Sequence, residues 1–238
     1  MTTLGERLQA VQASIAAAER DAGRPAGAVA LLAVSKAHTA TAVREAYTAG
    51  QCRFGENYVQ EALDKQAQLA DLPIEWHFIG PIQSNKTQPI AHHFSWVHGV
   101  DRLKIAERLN AARPDELPPL QVCLQVNVSR EPSKSGIVPQ EAAALAAAIA
   151  GLPRLRLRGL MTIPAPTEDG EQQRDQFRQL RELYEMLRGN GFALDTLSMG
   201  MSQDFAAAII EGATMVRIGA AIFGARPGKE STRKEQQC

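Results

Sequence analysis

Lys36 closes a short apolar run, Ala28-Val29-Ala30-Leu31-Leu32-Ala33-Val34-Ser35-Lys36. Such a run reads as a strand buried on both faces. An ammonium at its tip must reach water or lose its proton. Desolvation lowers a lysine pKa, and a neutral amine can attack a carbonyl to form a Schiff base. The plain alternative is a lysine that snorkels from a strand end to solvent. A second set of residues bears on the choice. Gly200-Met201-Ser202-Gln203-Asp204 reads as a turn entering a helix, where free backbone N–H groups and the Ser202 hydroxyl suit an anion. Gly219, directly after the apolar run 214–218, lets a backbone amide approach an anion closely. Taken singly, Ser202 could be an N-cap and Gly219 a turn.

An amine able to form a Schiff base opposite a phosphate site calls for a ligand with both a carbonyl and a phosphate. Pyridoxal 5′-phosphate fits, and so does a sugar phosphate of the kind Schiff-base aldolases use. Arg217 separates the two. It is the penultimate residue of an apolar strand, where an unpartnered charge is costly. In pyridoxal phosphate proteins an arginine or aspartate commonly faces the pyridine nitrogen, and an arginine keeps that nitrogen unprotonated. An ion pair inside the fold, with Glu211 as partner, is the other reading of Arg217.

The elements that must hold these residues alternate along the 238-residue chain. An amphipathic helix spans about 4–22. Strands are expected at 28–36, 52–56, 75–80, 96–100, 120–128, 155–163, 196–199 and 214–218. Helices lie between them, at about 39–50, 58–70, 84–94, over a segment carrying Leu103, Ile105, Ala106 and Leu109, and at 139–150, 171–188 and 204–211. Ser84 and Asp101 are the expected caps of the third and fourth of these, and Gly50 the C′ residue of the first. Eight strand–helix units point to an α/β fold, a single-domain (β/α)8 barrel with an extra N-terminal helix. Closure leaves none of the parallel strands with an exposed edge. A doubly wound open sheet is the alternative. The domain runs over 1–226, followed by a polar tail, 227–238. In a barrel the active site lies at the C-terminal ends of the strands. The residues just past them here are polar: Lys36, Asn57, Gln83 to Lys86, Asn127, Thr162 and Ser202.

Composition narrows the function classes. Lys+Arg and Asp+Glu are 26 each, so no overall field favours nucleic acid or an anionic membrane. Neither a signal-peptide pattern nor an apolar run of membrane-spanning length is present, and three cysteines without ligand spacing suit a reducing cytoplasm. Cys123 reads as a small core hydrophobe. His92-His93 is adjacent rather than at i,i+4 spacing, so no metal site is expected. His38 and His77 are placed near the barrel mouth, and Lys86 and Arg226 read as solvated charges.

The segments Ala33-Val34-Ser35-Lys36, Phe54 through Glu61 (FGENYVQE), Trp76 through Lys86 (WHFIGPIQSNK), Gly159-Leu160-Met161, Ser198 through Asp204 (SMGMSQD) and Arg217-Ile218-Gly219 resemble the pyridoxal phosphate homeostasis protein family. These proteins are relatives of the alanine racemase N-terminal barrel, fold type III-like among pyridoxal phosphate proteins. The motifs occur in family order over nearly the whole chain. The resemblance implies that Lys36 carries the cofactor as an internal aldimine. It implies further that Ser202 and the Gly219 amide hold the phosphate, that Arg217 faces the pyridine nitrogen, and that Asn57 and Met201 line the site. Many members carry a hydroxyl residue where Ala220 stands here, so one phosphate contact is missing. The implied role is binding, buffering and delivery of the cofactor, with apo-enzymes as recipients and no catalytic residue. The alternative is an amino-acid racemase. Racemization needs a base on each face of the substrate, however, and the second base of the barrel racemases comes from a separate β-domain. This chain stops shortly after its eighth strand, and only Tyr58 of its three tyrosines is expected near the mouth.

Overall fold

A computed structural model describes residues 2–129, 131 and 134–225. Arg226 and the expected tail 227–238 lie outside the described residues. Eight strands form one closed barrel in sequence order: β1 (Ala30–Val34), β2 (Arg53–Glu56), β3 (Glu75–Phe78), β4 (Trp96–Val100), β5 (Leu120–Gln125), β6 (Leu155–Met161), β7 (Thr196–Ser198) and β8 (Met215–Ile218). All pairings are parallel, and β1 closes on β8 with Leu32 opposite Arg217 and Ala33 opposite Ile218. The open-sheet alternative is thereby excluded.

The helices are α1 (Leu4–Asp21), α2 (Ala40–Thr48), α3 (Val59–Gln68), α4 (Thr87–His93), α5 (Leu103–Ala112), α6 (Ala142–Ala150), α7 (Gly170–Gly189), α8 (Phe205–Ile210) and α9 (Ala220–Phe223). The extra helix α1 starts in a capping box. Thr3 accepts from the Glu6 N–H, and the Glu6 carboxylate accepts from the Thr3 N–H. Its buried stripe, Leu4, Leu8, Val11, Ile15 and Ala18, recurs at helical spacing and packs toward α8 and α9. Gly50, at φ 99°, follows the end of α2 as the sequence pattern requires.

Two expected caps are corrected. Ser84 opens a 3₁₀ turn, Ser84–Lys86, and α4 begins only at Thr87, whose hydroxyl donates to the Ser84 carbonyl. The residue preceding α5 is Arg102, and Asp101 pairs with it rather than capping the helix. The strands are also shorter than the apolar runs, because the runs include loop residues that turn into the core.

The principal core lies between strands and helices, and the barrel interior has its own filling. Leu32, Val34, Ile79 and Met215 form one inner cluster; Trp96, Cys123 and Met161 form another. Cys123 is fully buried, and desolvation pushes its thiol up to about 12, so it behaves as the expected core hydrophobe.

Candidate functional site

Lys36 is not part of β1. It lies two residues past the end of the strand, half-buried in a turn. Since Leu32 and Val34 fill the barrel, period-two alternation sends Ser35 to the outer side. There its hydroxyl donates to Glu56 Oε1 at 2.6 Å. Lys65 of α3 donates to the same carboxylate oxygen at 2.7 Å, to the Ser35 carbonyl at 2.7 Å and to Glu61 at 2.6 Å. On the other flank of Lys36, the Ala37 N–H donates to Glu61. Ala37 has φ 63°, a left-handed conformation that costs an ordinary residue about 1–2 kcal/mol. The Glu56–Lys65–Glu61 cluster therefore grips the backbone on both sides of Lys36 and offsets that strain. Burial still holds the Glu56 carboxyl above its ordinary range despite the Lys65 ammonium. Glu56 and Glu61 fall within the FGENYVQE motif without an assigned role, and Lys65 lies outside it. The one signal is Glu61 four residues before Lys65, a favourable pair on a helix surface.

Asn57 follows β2 directly, and its Oδ1 is buried with no hydrogen-bond partner. Gly80, just past β3, lies against it: a Cβ there would sit 2.3 Å from the Asn57 carbonyl oxygen, so no side chain fits. After β7 the chain turns at Gly200 (φ 94°), whose carbonyl accepts from the Arg217 N–H at 3.0 Å. The following turn is held by Asp204, whose carboxylate accepts from the Met201 N–H. Asp204, not Ser202, occupies the position before α8. Ser202 and Met201 are exposed on the rim of a cavity of about 570 Å³ that Pro164, Pro166, Gln176 and Phe177 also line. Gly219 follows β8 and precedes α9.

Arg217 is buried inside the barrel. It donates to the Ser198 carbonyl at 2.6 Å, to Ser198 Oγ at 2.8 Å and to the Thr162 carbonyl at 2.8 Å. Those bonds use three of the five guanidinium N–H groups, which leaves two for another acceptor. Desolvation lowers its pKa to about 10, so it remains a cation at neutral pH. The ion pair with Glu211 does not form: Glu211 lies outside the barrel wall and pairs with Arg174, Arg178 and Arg181 of α7.

The six expected site residues, Lys36, Asn57, Met201, Ser202, Arg217 and Gly219, thus lie at or just beyond the C-terminal ends of β1, β2, β7 and β8, on one mouth of the barrel. His77 does not join them. It sits within β3, fully buried, bonded to Glu75 at 2.8 Å and to His98 at 2.9 Å. His38 stacks on Phe223 at 5.0 Å, and Lys86 is exposed. Among the described residues no group of His, Cys, Asp and Glu could hold a metal ion. Nor is any helix long and apolar enough to cross a membrane.

A closed parallel barrel with an amine two residues beyond β1 and a buried arginine on β8 defines a class, and the comparisons give the same one. The family model for the alanine racemase N-terminal domain matches residues 7–227. Similar relatives carry the name pyridoxal phosphate homeostasis protein. One, from Pseudomonas aeruginosa, is 62% identical over 95% of this chain and 97% of its own. Another, from Escherichia coli, is 53% identical over 95% and 98%. Among solved structures, PipY of Synechococcus elongatus with PLP bound is 38% identical, with a TM-score of 0.82 over 93% of this chain and all of that one. Alanine racemase of Corynebacterium glutamicum shares the fold, at 19% identity and a TM-score of 0.68, with 62% of its chain covered. The chain belongs to the alanine racemase N-terminal domain family and, within it, to the pyridoxal phosphate homeostasis proteins.

Proposed function

We propose that this protein binds pyridoxal 5′-phosphate at the C-terminal mouth of its barrel and buffers or delivers it, as part of vitamin B6 and amino- and keto-acid homeostasis in the cytoplasm. When bound, the cofactor supplies an aldehyde that condenses reversibly with an amine, a pyridine ring and a phosphate dianion. The observation that carries the reading is the placement of Lys36, just past β1, and Arg217, near the end of the adjacent β8, at the same mouth of the barrel. The register sets Arg217 opposite Leu32, and Lys36 follows four residues later toward the mouth.

Each residue has a defined part. Lys36 presents its amine to the aldehyde carbon. Arg217 directs its two remaining N–H groups at the ring nitrogen and, as a cation, keeps a proton off it. Asn57 offers the orphaned Oδ1, and Met201 lines the site. Ser202 and the Gly219 amide donate to the phosphate, with Ala220 adding no hydroxyl. The residues present fit the group.

Racemization would need a second base on the opposite face of the substrate, and the three tyrosines, all among the described residues, narrow to one for that part. The Tyr184 hydroxyl is engaged by the Leu194 carbonyl and Tyr47 packs against the core, which leaves exposed Tyr58 beside the mouth. A ring nitrogen kept unprotonated is also a weak electron sink. The protein therefore acts as a carrier, with apo-enzymes as recipients.

Borohydride reduction of the PLP-loaded protein, followed by peptide mapping, tests the site. The expected adduct lies on the peptide carrying Lys36. An adduct on Lys65 or Lys86, or none, overturns the assignment. A panel of L- and D-amino acids tests the carrier role: turnover near the ~10 s⁻¹ typical of enzymes would promote the racemase reading. Reactivation of an apo-transaminase by the loaded protein is the positive result.

A further inference from the structure

The barrel interior holds a buried polar chain that the binding site alone does not account for. Starting at Arg217, the bonded atoms run through Ser198 Oγ (2.8 Å) to His98 Nδ1 (2.8 Å). From His98 Nε2 they continue to His77 Nδ1 (2.9 Å), and from His77 Nε2 to Glu75 Oε1 (2.8 Å). His77, His98 and Ser198 are fully buried, and Arg217 nearly so. Four strands, β3, β4, β7 and β8, contribute one or two members each. The chain begins beside the C-terminal mouth and ends at the opposite one. There Glu75 lines a cavity of about 810 Å³ with Arg53, Arg156, Arg158, Gln121 and Asp195.

The direction of every proton in this chain follows from chemistry. An ionised carboxylate only accepts, so His77 donates from Nε2 to Glu75. A neutral imidazole has one N–H, so His77 Nδ1 accepts and His98 donates to it from Nε2. His98 Nδ1 is then an acceptor, and its donor is the Ser198 hydroxyl. Ser198 Oγ in turn accepts from Arg217, which can only donate. Assignments made from the two ends agree, and each buried link is satisfied. All the donors point one way, from the Arg217 cation to the Glu75 anion. The groups facing this chain are few. Trp96 stacks on His77 at 5.4 Å, Arg53 lies 3.2 Å from Glu75, and Asp204 and Cys123 are the other titratable groups that act on Arg217.

We propose that Glu75, His77, His98 and Ser198 are positioning residues that orient and polarise Arg217, coupling the far mouth of the barrel to the ring-nitrogen end of the ligand. Glu75 acts as the remote counter-ion of a buried arginine that has no carboxylate bonded to it. Its negative end strengthens each successive acceptor, because bonds in such a chain polarise one another. The proposal rests on the reading that Arg217 faces the ring nitrogen of pyridoxal 5′-phosphate.

Two measurements test it. In the ligand-free protein at pH 7, long-range ¹H–¹⁵N spectra should show both His77 and His98 as neutral Nε2–H tautomers. An Nδ1–H tautomer at either would overturn the chain, whatever the ligand. The second measurement compares pyridoxal 5′-phosphate with the deaza analogue that has a ring CH in place of the nitrogen. Glu75→Gln keeps an acceptor for His77 but removes the charge, leaving Arg217 to pull harder on the ring nitrogen. The ratio of affinities should shift toward pyridoxal 5′-phosphate by about threefold or more, the scale of one charge acting through a protein interior. A ratio that stays put or falls overturns the coupling. If the wild type binds neither ligand, the functional reading fails, while the tautomer result still judges the chain.

Discussion

Two buried cations flank the segment that leads to Lys36, Lys65 bonded to the Ser35 carbonyl and Arg217 in register with Leu32, and they are compensated in opposite ways. Lys65, on the outer side of the barrel wall, has two carboxylates in direct contact at 2.7 and 2.6 Å. Arg217, inside the barrel, bonds a hydroxyl and two backbone carbonyls; Asp204 acts on it without a hydrogen bond, and its bonded path to a carboxylate runs through three intervening side chains. The first arrangement neutralises charge on the spot and fixes backbone; its function is to hold the Lys36 turn. The second leaves a cation with unused donors beside the mouth, where a ligand atom can engage it. Direct pairing serves architecture, and indirect pairing keeps a charge available for binding.

The comparison breaks most visibly at Lys65. Lys65→Met leaves Glu56 buried without its cation, and breaking one side of a buried pair costs about 3–5 kcal/mol. Urea unfolding at pH 7 measures the loss. Because burial raises the Glu56 pKa and Lys65 opposes that rise, removing Lys65 raises it further, and the variant should recover part of its deficit as pH falls and the carboxyl takes up a proton. A deficit that does not change with pH would show that Lys65 is not compensating Glu56.

At the mouth, the comparison requires that the phosphate be met elsewhere than at Arg217. Ser202→Ala removes one hydrogen bond to a charged group, worth about 1.5–3 kcal/mol, or roughly ten- to a hundredfold in affinity for pyridoxal 5′-phosphate. Pyridoxal without the phosphate should bind both proteins alike. Equal weakening of the two ligands would make Ser202 a structural residue and move the anion site.

Much of this arrangement is legible in the chain itself. Eight apolar runs separated by amphipathic segments specify the barrel, since period-two and period-3.6 patterns follow from local geometry. Lys36, Asn57 and Ser202 are readable because each is a polar residue just past such a run. What escapes is contact made across the fold. Glu56 and His77 fall inside strand-like segments, and nothing local tells that one faces α3 while the other faces the barrel axis. His98 looks like an ordinary strand residue until β7 brings Ser198 to it from 100 positions away. Helix starts fail for a related reason: Ser84 and Asp101 have the right chemistry for caps, but a 3₁₀ turn and an arginine pairing use those residues first.

The finest test of the contrast is the pH dependence of stability. His77 and His98 both have pKa values lowered, chiefly by desolvation, His98 strongly so. A histidine whose folded pKa lies below its unfolded value near 6.5 stays neutral in the fold while the unfolded chain takes up a proton. Above about pH 6.5 it therefore has no effect on stability. Below that, each such histidine lowers stability by up to about 1.4 kcal/mol per pH unit, until its folded pKa is reached. Glu56, with its raised pKa, acts in the opposite direction over part of the same range, so the wild-type slope alone is ambiguous. The difference between wild type and His98→Gln isolates the interior chain. Between pH 6.5 and 5.5 the variant should lose about 1 kcal/mol less than the wild type, because one fewer group binds a proton only on unfolding and that group is half protonated in the unfolded chain at the upper end of the window. Parallel curves would mean that His98 can accept a proton inside the barrel, and the one-way chain from Arg217 to Glu75 would not stand.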